Sequence, residues 1–494
     1  PGIPGQPAGM VATDSPWVFG VGCVFAALFA YGLGANDVAN SFGTSIGSGA
    51  LTMKHAILIA SVMEVVGAVT LGAGVADTLT KKISYLERED CWDCQGEGSK
   101  MGLYELGMVC ALASGAIFLL GATLFGLPVS TTHTIVGGVL GMTIVAKHTF
   151  CVKWLWPGLL KIVASWFVSP ILAGAISVLL HLTIRRTVLD TGAPLRRAYI
   201  ALPILTGSTI LVLVMLILYQ QSTFPLWEMG AISAGAGVSV WCFVQFLLLS
   251  RVKRQVEASI PTIEMGSLKL GGESAEDERE PMMAAADTRQ VEKEEEEEGL
   301  KASEVVVAQS EEANLLSGRE KELARAKRVF MYLQILTATL KSFAHGANDV
   351  ANAAGPFAAV QGLYFGQDPC HISTTIWILV LCGAGIVLGL SISGHHVIKT
   401  IGEDLTAIDF PTGFSIELGS TLSVVLASCT GMPVSSTHCQ VGSVICIGVY
   451  EHGARNVQWS LLNKILASWI FTVPISAACA GGFLYGALFL IPKL

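Results

Sequence analysis

Two acidic residues stand where an acid is expensive. Asp37 is the sole charged side chain between Trp17 and Thr52, and Asp349 lies in a similar apolar setting in the second half of the chain. Each sits in the same heptapeptide, Gly34-Ala35-Asn36-Asp37-Val38-Ala39-Asn40 and Gly346-Ala347-Asn348-Asp349-Val350-Ala351-Asn352, 312 residues apart. An ionisable side chain in apolar surroundings of membrane-span length costs about 3 kcal/mol or more, so one that recurs is read as functional. A structural Asp that caps a broken helix is the alternative. Asn36, Asn40, Asn348 and Asn352 add neutral amide oxygens, with helix packing as their alternative role. The glycines suit a helix that unwinds locally and frees its carbonyls. Carboxylate, amide and carbonyl oxygens are what a hard cation takes as ligands, and sodium is the natural candidate.

A second repeated motif carries hydroxyls. Pro128-Val129-Ser130-Thr131-Thr132-His133 recurs as Pro433-Val434-Ser435-Ser436-Thr437-His438, 305 residues on and in the same order relative to the heptapeptide. Two motifs repeated in one order imply two homologous halves. Paired interruptions of hydrophobic segments in two halves point to a transporter's midplane site. Each hydroxyl cluster lies midway along an apolar stretch of about 40 residues, which suits a re-entrant hairpin. Proline ends one helix and the next helix begins with free N–H groups and the positive end of its dipole, a ready anion site. Ser130, Thr131, Thr132, Ser435, Ser436 and Thr437 would add donors there. Ordinary helix capping is the alternative.

The two motifs contain no Arg or Lys, and Lys341 is the nearest. A site of helix ends, hydroxyls and carboxylates suits a protonated oxyanion, because an ionised Asp can accept from a P–OH group. This favours mono- or dihydrogen phosphate over sulfate. Two carboxylates plus an anion would also require cations, which is a basis for coupling. Glu64, His345 and Glu417 are candidate coupling residues on the same reasoning, with packing as the alternative for each. His133 and His438 are expected to hydrogen-bond at a helix interface, and His395 and His396 to sit at a membrane edge.

These residues need elements to hold them in a bilayer. The 494 residues are 52% hydrophobic and 14% charged, where a soluble chain carries about 25% charged residues. Apolar runs near 20 residues recur from Trp17 onward, the length a bilayer core needs. The expectation is an all-α polytopic membrane protein with about 10–12 membrane segments, two inverted-topology repeats and re-entrant helical hairpins. Its parts are an N-terminal tail (1–16), a first transmembrane block (17–250), an acidic loop (251–328) and a second block (329–494). The loop holds half of the 38 Asp and Glu, including Glu294 to Glu298 in a row, and is expected to be largely disordered. Basic residues at its ends and in 183–198 place those loops in the cytoplasm. No basic face suggests nucleic acid. Cys91 and Cys94 stand in a polar loop, where an extracellular disulfide is one reading, and the other ten cysteines read as small buried apolar side chains.

The stretches GANDVANSFGTSIGSGALT (34–52), FAHGANDVANAAGP (343–356) and GFSIELGSTLSVVLASCTGMPVSSTHCQVGSVICIG (413–448), with HVIKTIGEDL (396–405), resemble the inorganic phosphate transporter family, in particular its eukaryotic sodium-dependent members. The resemblance covers most of both apolar blocks and none of the acidic loop. It implies a non-enzymatic symporter that moves phosphate with sodium through alternating access, a homodimer in lipid, a place in the plasma membrane, and both termini outside. It also implies that Asp37, Asp349, Asn36, Asn40, Asn348 and Asn352 and the six Ser/Thr of the second motif line the site. No cofactor is implied beyond co-transported sodium. Proton coupling is the nearest rival. A phosphate sensor signalling through the acidic loop is a further reading. An intramembrane aspartyl protease would need a Gly-X-Gly-Asp motif that is absent.

Overall fold

A computed structural model describes residues 16–95, 101–221, 224–258, 318–400, 406–429 and 434–490, with the side chains of some residues inside these ranges, Asn40 among them, left undescribed. The N-terminal tail up to residue 15, most of the acidic loop, and residues 430–433, with Pro433 of the second motif among them, lie outside these residues. The described chain is helical, with one isolated bridge between Ser84 and Val152. Among the described residues, nine helical stretches are long and apolar enough to cross a membrane. The protein is therefore an all-α multi-pass membrane protein.

Among the described residues, fifteen α-helices run in order as α1 Pro16–Asn36, α2 Val38–Gly47, α3 Met53–Ile83, α4 Met101–Leu124, α5 Thr131–Lys147, α6 Leu159–Ile184, α7 Pro194–Gln221, α8 Leu226–Phe243, α9 Leu249–Ala258, α10 Gly318–Tyr364, α11 Ile376–Ser393, α12 His395–Lys399, α13 Phe410–Cys429, α14 Ser436–His452 and α15 Trp459–Leu490. The two halves interlock. Helix α1 packs on α11, α3 on α10, α5 on α15, and α6 on α14. Each half thus supplies walls for the other. Helices α5 and α14 have 17 residues each, short of a full span, and both are buried in their first three turns.

The heptapeptides do not unwind as expected. In the first half the helix is interrupted at Asp37 alone, between α1 and α2, and the Asp37 N–H still reaches Leu33 O at 2.8 Å. In the second half α10 runs 47 residues straight through Gly346–Asn352. The glycines serve close packing instead. A Cβ on Gly346 would stand 2.7 Å from Glu64 Cα in α3, and one on Gly34 would stand 2.8 Å from Ile386 Cα in α11. The helix stays wound because the conformational freedom of glycine is not what these positions use.

The cysteine reading needs correction. Cys91 pairs with Cys151, and Cys94 pairs with Cys370, so two of the ten cysteines read as apolar filler are cross-linked. The segment 84–95 is clamped between loop 148–158 and loop 365–375. Trp92 anchors it, fully buried, with its ring edge-on to Tyr104 at 4.9 Å. Spacing alone could not reveal partners 60 and 276 residues away.

Candidate functional site

Asp37 and Asp349 come together from opposite halves. Their carboxylates and His345 place one ligand atom each within 4.8 Å of one another, and all three residues are buried. Helix α10 presents His345 and Asp349 one turn apart on the same face. Asp37 arrives at the α1–α2 break, so its side chain leaves the helix axis where α10 crosses.

The second motif supplies hydroxyls to both carboxylates. Thr131 Oγ1 and Thr437 Oγ1 donate to Asp37, the latter at 2.7 Å. Ser436 Oγ donates to Asp349 at 2.7 Å, and Asn348 Nδ2 at 3.0 Å. Asp37 therefore takes a hydroxyl from each half. Asn352 Nδ2 donates to Thr131 Oγ1 at 3.2 Å, a further bond across the halves. These hydroxyls stand at equivalent places because the two motifs fold alike. Ser130 and Ser435 sit in extended backbone with φ −89° and −91°, and each accepts from the N–H of the histidine three residues on. Those two serines are helix caps, as the simpler reading allowed. Their neighbours in the first turns of α5 and α14 point into the site.

His345 joins a third acid. Its Nδ1 lies 2.9 Å from Glu64 Oε2, which also holds Ser342 Oγ through Oε1 at 2.8 Å. Its Nε2 lies 3.1 Å from Asp349 Oδ2, off the line of a hydrogen bond. An imidazole between two buried carboxylates can hold one proton or share it. The motifs themselves contain no Arg or Lys, and His345, just before the second heptapeptide, stands between the two acids.

Glu417 lies in a separate polar cluster. Thr44, Ser45 and Thr337 donate hydroxyls to it at 2.7 Å, and Gln334 Nε2 donates at 3.3 Å. Beside it Lys341 is buried and donates to Gln440 Oε1, which also accepts from Ser420 Oγ at 2.9 Å. The sequence reading missed Thr44, Ser45, Gln334, Thr337 and Gln440, which carry no repeat signature. It also missed a signal that was present. Glu105-Leu106-Gly107 and Glu417-Leu418-Gly419 stand 312 residues apart, the same offset as the heptapeptides, and Glu105 is buried in α4.

Asn36 departs from its expected place. Its Nδ2 donates to Thr123 Oγ1 and Leu127 O, and its Oδ1 accepts from Val129 N at 3.0 Å. The whole amide braces the turn between α4 and α5. Asn40 lies outside the described side chains. His133 and His438 meet edge to face at 4.5 Å, each ring 3.7 Å from a tryptophan, Trp166 and Trp469 respectively. They pack α5, α6, α14 and α15 together, and His438 Nδ1 adds a contact to Trp166 O at 3.2 Å. His395 and His396 are exposed where α11 ends, in keeping with an edge position.

Two buried carboxylates this close would repel unless neutralised by protons or cations, since burial of an unpaired charge is expensive. The surrounding hydroxyls can rotate to donate either to the carboxylates or to a third group. The arrangement suits joint binding of cations and an oxyanion.

Comparison with known proteins agrees with this chemistry. The family model described as "Phosphate transporter family" matches residues 33–480. The chain is 29% identical to "Sodium-dependent phosphate transporter 1" of Mus musculus, with 95% of each chain covered. It is also 29% identical to "Phosphate-repressible phosphate permease pho-4" of Neurospora crassa, over 98% of this chain and 99% of that one. A solved structure titled "The sodium-dependent phosphate transporter" superposes with a TM-score of 0.74 at 30% identity, over 96% of this chain and 100% of that one. With the matched region spanning both pairs of motifs and most of the membrane helices, the chain belongs to the phosphate transporter family.

Proposed function

We propose that this protein is a secondary active symporter that imports inorganic phosphate with sodium by alternating access. The observation that carries the reading is the meeting of Asp37 and Asp349, one from each half, with hydroxyls of both second motifs donated to them. Sodium ions at these carboxylates, with Asn348 and Asn352 nearby, would neutralise the acid pair. Thr131, Ser436 and Thr437 could then turn their hydroxyls to phosphate oxygens, with Ser130, Thr132 and Ser435 in the same helix starts. Phosphate would bind only after the cations, which is a physical basis for coupling. Glu64 and His345 would report the charge state of Asp349. Glu417 would act at a distance, by holding α2, α10 and α13 together.

Sodium is favoured over protons because similar transporters are named for sodium dependence. The interlocked packing of α1 with α11 and α3 with α10 supports two inverted repeats. The homodimer and the plasma membrane location rest on the family resemblance. Purified protein in proteoliposomes tests the coupling. An inward sodium gradient at equal pH should drive labelled phosphate uptake. Full uptake driven by a proton gradient without sodium would replace sodium coupling with proton coupling.

A further inference from the structure

Away from the transport site, α7 and the α8–α9 rod form a groove with a charged mouth and an apolar body. The two helices touch closely at Gly207 and Gly237, where a Cβ on either glycine would stand within 2.9 Å of the other's carbonyl oxygen. Toward the N-terminus of α7 they splay, and a cavity of about 470 Å³ opens between them. A π-helical turn at Val244–Leu248 sets Gln245 and Phe246 along its wall.

The lining changes with depth. Arg196, Tyr199 and Lys253 stand at the mouth, with the Lys253 ammonium 5.4 Å from the centre of the Tyr199 ring. Ile204, Trp241 and Phe246 line the deeper part. From Arg196 to Ile204 the helix descends roughly 12 Å, at 1.5 Å per residue. The mouth lies by the basic loops that the positive-inside rule assigns to the cytoplasm. No acid lines the cavity. Among the described residues Arg196 and Lys253 make no ion pair, whereas nearby Arg185 is paired with Asp190 and Glu451. Glu257, one turn on from Lys253, acts on Tyr199 but forms no ion pair with either cation among the described residues, so two cations above an apolar slot at the inner membrane surface match one ligand class.

We propose that this groove binds an anionic glycerophospholipid of the cytoplasmic leaflet, its phosphate between Arg196 and Lys253 and an acyl chain along Ile204, Trp241 and Phe246. The cytoplasmic leaflet carries anionic lipid, and basic clusters at helix ends recognise it. The site is separate from Asp37 and Asp349, so the lipid would hold α7 against α8 without entering the transport path.

Native mass spectrometry of the full chain tests the proposal, with phosphatidylserine, phosphatidylcholine and inorganic phosphate as probes. The wild type should retain phosphatidylserine over phosphatidylcholine. The double variant Arg196→Gln with Lys253→Gln should bind phosphatidylserine roughly thirtyfold more weakly, the effect of losing two surface cations. The groove-filling Ile204→Trp should weaken binding with both charges intact, and Arg196→Lys should keep the preference. Equal retention of phosphatidylserine by wild type and double variant would overturn the site. So would its displacement by inorganic phosphate, or unchanged binding in Ile204→Trp. Phosphate uptake by the double variant in neutral lipid should equal that of the wild type, which separates this site from the transport reading.

Discussion

At the scale of single residues, hydroxyls hold the buried carboxylates. Thr437 reaches across from the second half to Asp37. A hydrogen bond to a charged group contributes about 1.5–3 kcal/mol. Thr437→Val should therefore lower kcat/KM for phosphate uptake by roughly tenfold or more, read by initial rates at matched surface expression. Gly346→Ala should act through packing, since the new methyl would push on the Glu64 backbone and displace the carboxylate that holds His345. Loss of uptake with reduced thermal stability, by about 1–3 kcal/mol, is the expected result. Much of this scale was legible in the sequence. A repeated Asp in an apolar stretch is improbable without use, and the hydroxyl motif repeats beside it. Glu417's partners and the amide of Asn36 were not legible, because three-dimensional crossing rather than spacing decides what they touch.

At the scale of elements, helix ends and loop clamps set the geometry. Helix α13 begins with a reciprocal cap in which Asp409 N donates to Thr412 Oγ1 and Thr412 N donates to Asp409 Oδ1. Partial burial pushes the Asp409 carboxyl up, but the Lys327 ammonium at 2.9 Å and the Thr412 bonds outweigh it and hold the carboxyl below the usual range. A depressed carboxyl stabilises the fold above its unfolded value and loses that contribution as pH falls through the folded value, so the loss lies below about pH 4. Asp409→Asn should lower the unfolding temperature at pH 7, and the difference from wild type should shrink toward pH 3. The Cys94–Cys370 bond joins loops of the two halves across 276 residues. Its removal by Cys370→Ser should destabilise the protein by about 2–5 kcal/mol, as a lower unfolding temperature. Helix unwinding at the heptapeptides was misjudged from sequence for a physical reason. Glycine permits both unwinding and close packing, and only the neighbouring helix decides between them.

At the scale of the whole molecule, two halves interlock and each contributes one carboxylate to a shared centre. The repeats made this legible, because equal order and near-equal offsets imply equal folds. What the repeats could not convey is that Asp37 takes its hydroxyls from both halves, so neither half forms the centre alone. The acidic loop contains neither pair of repeated motifs, and its removal over 260–316 should leave sodium-driven uptake near the wild-type rate. Lost uptake in that deletion would give the loop a part in transport. The central claim is that both carboxylates are needed together. Labelled phosphate uptake by Asp37→Asn and by Asp349→Asn, each normalised to surface expression, tests it most directly. Both variants should reach the surface and transport no phosphate above background, whereas wild-type uptake in either one would contradict the shared paired-carboxylate site.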